Sequence, residues 1–187
     1  MVSKRTLTNL EYALLGLVNQ APQTGYQLCK IFETSPIGHY SSSPGSIYPA
    51  LNRLEKRGLL HARVERQSTM RPRRVFSVSQ DGRHSLREWV TAPVDKNVLF
   101  RDEDGVMLRF AFMDAFLQPA ETVAFLQQLS DTTSDLIADL NRHHQEISRA
   151  SEAHTATGTL ALEYGISSYR NLARWAKRTA SKVANKN

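Results

Sequence analysis

Four arginines, Arg66, Arg71, Arg73 and Arg74, fall within nine residues, and residues 67–80 contain no carboxylate to neutralise them. Guanidinium groups spaced this closely repel one another, so a polyanion between them is the economical reading, and DNA phosphate is the polyanion expected. Thr69 and Pro72 lie in the same stretch. A second set precedes it. Ser42, Ser43 and Ser46 offer hydroxyls, and Asn52, Arg53 and Lys56 offer amide and cationic donors. Donors of these types contact phosphates and base edges alike. Covalent chemistry has no comparable footing. His39, His61 and His84 are isolated from any nucleophile at a recognisable spacing, and the phosphate-loop, dinucleotide and Gly-x-Ser-x-Gly motifs are absent from the sequence. His143, His144 and Glu146 point to different sides of one helical stretch, so no metal site and no cofactor is expected. The chain reads as a binding protein, not an enzyme.

These residues need elements to hold them. Residues 44–57 read as a helix with Ser43 as its N-cap, Pro44 at the first helical position and Gly58 just past its end. Ile47, Ala50, Leu51 and Leu54 make its apolar stripe, and Gly45, Pro49, Asn52 and Lys56, with Arg53 toward the edge, fall on the opposite face. Past Gly58 the apolar period changes from 3.6 to 2. Leu60, Ala62 and Val64 alternate with His61, Arg63 and Glu65, and Phe76 and Val78 alternate with Val75, Ser77 and Ser79, which predicts a hairpin with the arginines around its tip. Ahead of them, a capping box at Thr8 to Glu11 opens a helix ending near residue 19, and a second helix covers 24–34. A further helix covers 81–91.

The order helix, helix, capped helix, hairpin predicts a winged helix-turn-helix over residues 1–92. Ala92-Pro93-Val94 reads as a boundary, and residues 93–187 read as helices only, at 103–117, 119–151 and 157–183. Their apolar residues exceed a single stripe, so they need partner helices. The fold class expected is mainly α with a small β-hairpin wing, the second domain being all-α. Charge divides along the same line. Residues 1–92 hold 13 Lys and Arg against 6 Asp and Glu, a net of +7, whereas residues 93–187 hold 11 against 12, a net of −1. One half suits a polyanion, the other suits protein. With 41% hydrophobic residues, no apolar run long enough for a membrane span, no apolar segment behind Lys4 and Arg5, and the single Cys29, the expectation is a cytoplasmic globular protein with no membrane partner. Cys29 itself reads as a small buried hydrophobe.

The residues resemble the PadR-type transcription regulators. The likeness runs through Leu14-Leu15-Gly16-Leu17, Gly25-Tyr26-Gln27-Leu28, and the Gly45-Ser46-Ile47-Tyr48-Pro49-Ala50-Leu51-Asn52-Arg53-Leu54-Glu55-Lys56-Arg57-Gly58-Leu59-Leu60 segment. It resumes at Arg73-Arg74-Val75-Phe76-Ser77-Val78-Ser79-Gln80-Asp81-Gly82-Arg83 and departs mildly from the family there, which often has two aromatics where this chain has Val75 and Phe76. The resemblance implies that Tyr48 and the small residues around it meet the DNA backbone. It also implies that helix residues after Pro49 enter the groove. Past Pro93 it points to the longer subgroup, in which the C-terminal helices and the N-terminal helix form a homodimer. Release by a small aromatic effector is a further implication. Trp89, Trp175, Tyr164, Tyr169 and the Phe110–Phe116 group could line such a pocket, although a hydrophobic dimer core accounts for them more simply.

The expected function is therefore that of a sequence-specific regulator, a repressor binding an inverted repeat in double-stranded DNA as a homodimer. The alternative is a winged helix serving only as a protein–protein or dimerisation module.

Overall fold

Thr8 opens the first helix by a reciprocal cap. Its hydroxyl accepts from the Glu11 N–H at 3.3 Å, and the Glu11 carboxylate accepts from the Thr8 N–H at 2.9 Å. The computed structural model describes residues 6–41, 43–65, 72–149 and 156–185, and divides the chain into two units, Met1–Ala92 and Pro93–Asn187. The first unit runs α1 (Asn9–Gln20), β1 (Gln23–Thr24), α2 (Gly25–Thr34), α3 (Pro44–Lys56), β2 (Leu60–Glu65), β3 (Arg73–Val78) and α4 (Gln80–Val90). A turn of 3-10 helix, Pro36–Tyr40, bridges α2 and α3. The second unit is helical in its described part: α5 (Lys96–Arg101), α6 (Glu103–Ala111), α7 (Pro119–Arg149) and α8 (Ala156–Ala184).

The sheet has three strands where the sequence pattern predicts a hairpin. β1 pairs antiparallel with β3 (Gln23 opposite Phe76, Thr24 opposite Val75), and β2 pairs along the other edge of β3 from Leu60 opposite Val78 to Glu65 opposite Arg73. Two residues are too few to show a period, so β1 leaves no alternation to read. Only the part of the ribbon nearest the helices is buried. Leu60 and Phe76 sit in the core, whereas Val64, expected to face inward, is 58% exposed opposite Arg74. There the ribbon has run past the helices that would cover it.

Side chains from all four helices and the sheet meet in the first core: Leu14, Leu15, Leu28, Phe32, Ile47, Leu51, Leu54, Leu60, Phe76 and Leu86 are each no more than 1% exposed. Each contributes about 1.5–3 kcal/mol by leaving water. Tyr12 stacks on Trp89 at 4.1 Å between ring centroids, which assigns Trp89 to packing. Cys29 is buried in α2, and burial, with the nearby Glu33 carboxylate, pushes its thiol above the ordinary range.

In the second unit, Leu99, Val106, Leu126, Leu129, Leu136, Leu172 and Ala176 form one cluster, with Phe110 and Trp175 edge-to-face at 5.2 Å beside it. Lys96 reaches Asp139 on α7 at 2.6 Å, and that hydrogen bond, with the Lys96 and Arg142 charges, holds the Asp139 carboxyl below its ordinary range. The helix expected over 103–117 stops at Ala111 and gives way to a 3-10 turn at Met113–Ala115. Pro119 disfavours helical geometry at Gln118, so the chain must unwind before it. The six-residue α5, capped by Asp95 through the Val98 N–H at 2.8 Å, has no counterpart in the sequence reading. Among the described residues no helix is long and apolar enough to cross a membrane.

Candidate nucleic-acid interface

α3 buries Ile47, Ala50, Leu51 and Leu54 and exposes Gly45, Ser46, Tyr48, Pro49, Asn52, Arg53 and Lys56. Both ends are set by local chemistry. The Ser43 hydroxyl accepts from the Gly45 N–H at 3.2 Å, and Pro44 spends no donor at a position with no helical acceptor. Ser43 is thus occupied as the cap, although it remains exposed. At the other end Gly58 takes φ +72°, a left-handed turn that a Cβ would strain, and the chain leaves directly into β2. Inside the helix, Pro49 has no N–H to offer the Gly45 carbonyl four residues back, so that oxygen lacks its helical partner bond.

Tyr48 is held by a glycine. A Cβ on Gly25 would lie 2.4 Å from Tyr48 Cε1 and 3.0 Å from Cζ, so the ring crosses the start of α2 where only hydrogen fits. The residue is nonetheless 44% exposed. Packing fixes the ring and leaves part of it at the surface beside Ser46 and Pro49.

Arg53 stands in a different setting from the one its position on the helix suggests. Its Nε donates to Glu11 Oε1 at 2.8 Å, across 42 residues of sequence. Glu11 is 6% exposed in its side chain, and its other oxygen accepts from the Thr8 N–H. Burial alone would raise the Glu11 carboxyl, but the Thr8 N–H and the Arg53 guanidinium outweigh it and hold the group below its ordinary range. Glu11 is therefore the residue that ties α1 to the exposed helix, and motif reading assigned it only to the cap. The one local signal is its place immediately before the buried run Tyr12–Gly16.

The wing meets the same helix. Arg74 Nη1 donates to Asn52 Oδ1 at 2.9 Å, and Nη2 pairs with the Glu55 carboxylate. The guanidinium carbon also lies 5.1 Å from the centre of the Phe76 ring. Asn52 and Arg74, expected as separate contacts, thus form one unit. Arg73 is exposed on the same strand, and Lys56 is exposed in the last turn of α3. Ser42, Arg66, Thr69 and Arg71 lie outside the described residues.

A capped helix with a polar, basic exposed face beside a two-stranded wing is the arrangement of DNA-binding winged helices. Residues 14–88 match the transcriptional regulator PadR-like family, a span that takes in α2, α3 and the wing. The negative transcriptional regulator PadR of Bacillus subtilis (strain 168) is 24% identical over 145 residues, 76% of this chain and 77% of that protein. Among solved structures, Bacillus subtilis PadR in complex with operator DNA aligns over 94% of this chain and 99% of its own, at 22% identity and TM-score 0.42. The PadR-like regulator BC1756 of Bacillus cereus aligns over 97% and 99%, also at 22% and 0.42. The same Bacillus subtilis protein in complex with p-coumaric acid aligns over 94% and 96%, at 20% and 0.39. Over residues 14–88 the chain is similar to the transcriptional regulator PadR-like family, and its Bacillus subtilis relative is a negative transcriptional regulator.

Proposed function

We propose that the protein is a repressor that binds an inverted-repeat operator as a homodimer, laying α3 of each protomer in the major groove and the wing along the backbone. One observation carries this reading: the exposed face of α3 and the basic strand β3 are joined through Asn52 and Arg74 into a single surface, on the half of the chain whose net charge is +7. Phosphate contacts by Ser42, Ser46, Arg66, Thr69, Arg71 and Arg73, with the N-terminus of α3 at Ser43, supply affinity. Asn52 and its neighbours on the helix supply specificity. The description of the Bacillus subtilis relative as a negative regulator supports repression.

Dimerisation runs through the helices of residues 93–187 together with α1. Leu160 and Tyr164, one turn apart on α8, are 61% and 76% exposed, a large apolar pair that a second protomer would cover. Release from DNA by a small aromatic compound is supported by a groove of about 530 Å³ bordered by Met107, Tyr164 and Trp175.

Selection of binding sites from random duplex DNA with the full-length protein tests the function. The expected product is a symmetric site with half-sites about one helical turn, roughly 10 base pairs, apart. No enrichment over input would leave the winged helix as a protein-interaction module.

A further inference from the structure

An arginine in a basic wing invites the role of phosphate neutraliser. The surroundings of Arg74 point elsewhere. Its two terminal nitrogens are engaged by Asn52 and Glu55, its guanidinium lies over Phe76, and its carboxylate partner offsets its charge. A guanidinium has donors and no acceptor. Whatever else the Asn52 amide does, it must turn its oxygen toward Arg74, and the amino group is thereby turned away from it.

That constraint has a chemical consequence for an exposed Asn52 on a helix that reads base edges. An unconstrained asparagine can flip and satisfy either a donor or an acceptor. Held by Arg74, it presents Nδ2 as a donor. In the major groove guanine, adenine and thymine each offer an acceptor, whereas cytosine offers only its N4 amino donor.

We infer that Arg74 is a positioning residue which locks the Asn52 side chain in its donor orientation, so that the base pair facing Asn52 is discriminated against cytosine, with Glu55 holding Arg74 in place. This rests on α3 entering the major groove. It changes the role of Arg74 from affinity to specificity.

The experiment takes the site selected by the full-length protein, replaces each base pair in turn, and compares wild type with Asn52→Ala, Asn52→Asp, Arg74→Ala, Arg74→Lys and Glu55→Gln, with thermal unfolding as a check on the fold. Asn52→Ala first locates the base pair: loss of preference at one position keeps the groove reading, and full preference everywhere removes it, and the present inference with it. At that position Arg74→Ala is expected to reduce discrimination against cytosine about tenfold while leaving the log–log salt slope within about 0.3 of wild type. Arg74→Lys, which keeps the charge but cannot span Asn52 and Glu55 as a fork, is expected not to restore it. Glu55→Gln weakens the hold on Arg74 and is expected to lower discrimination by a smaller factor. Asn52→Asp, which can only accept, is expected to shift preference toward cytosine at the same position, and it reports on the inference even if the Arg74 variants do not fold.

A slope that falls by about 0.9 per protomer in Arg74→Ala and is restored in Arg74→Lys, with discrimination unchanged, would assign Arg74 to a phosphate and overturn the inference. An Asn52→Asp protein with wild-type base preference would overturn it too.

Discussion

Arg53 of α3 donates to the buried carboxylate of Glu11 on α1 at 2.8 Å, and the same carboxylate closes the cap of α1 through the Thr8 N–H. One acidic side chain therefore both starts the first helix and anchors the exposed one. Removing either partner has unequal costs. Arg53→Ala leaves a buried carboxylate facing no cation, whereas Glu11→Gln keeps an acceptor for the cap and removes the charge.

Arg53→Ala should therefore lower stability by about 1–3 kcal/mol and Glu11→Gln by less, read from urea midpoints at neutral pH. The pH dependence carries a sign. Because the folded Glu11 carboxyl titrates below its unfolded counterpart, its stabilisation is fully present above the unfolded value and is lost as pH falls through the folded one. Wild type should lose more stability than Glu11→Gln between neutral and strongly acidic pH. Parallel losses would remove Glu11 from the account.

The packing of Tyr48 on Gly25 makes a separable claim. Gly25→Ala should destabilise the protein by about 1–3 kcal/mol through overpacking. In a Tyr48→Ala background the same change should cost less than about 0.5 kcal/mol, since the clash is with that ring. Tyr48→Phe keeps the ring and deletes the hydroxyl, so any loss of DNA binding in it, at unchanged stability, measures the hydroxyl alone.

Arg71 and Arg73 are expected to contact phosphates. Replacing both by alanine should reduce the magnitude of the log–log salt slope by about 0.9 per contact per protomer, with operator and scrambled DNA weakened alike. An unchanged slope would place these arginines away from phosphate.

Assembly is checked by light scattering. The full chain should have about twice the 21.1 kDa mass of one protomer, and a chain ending at Ala92 should be monomeric and bind DNA far more weakly. A full-length monomer at micromolar concentration contradicts the dimer.

What the sequence made legible was local. Thr8 with Glu11, and Ser43 with Pro44 and Gly58, announce helix ends because a cap is chemistry between residues a few positions apart. Periodicity placed α3, β2 and the two long helices α7 and α8 for the same reason. β1 and α5 escaped it, being shorter than the window in which a period shows. The pairings that organise the candidate interface escaped it too. Glu11 to Arg53 spans 42 residues and Asn52 to Arg74 spans 22, and no spacing rule connects them. Helix geometry could place Asn52 and Arg53 on the outer side of α3 but could not tell which of the two is tied inward to α1 and which is held by the wing.

The stack of Tyr12 on Trp89 has a practical consequence. The chain has two tryptophans, and they fall one to each unit, Trp89 against Tyr12 in the first and Trp175 against Phe110 in the second. Intrinsic fluorescence is therefore two reporters in one signal. A Trp175→Phe protein would emit only from the winged half and a Trp89→Phe protein only from the helical half, so the melting of each half can be followed without a label. Coincident transitions would mean that the halves unfold as one cooperative body, and separated ones that the protein is built from two independently stable parts.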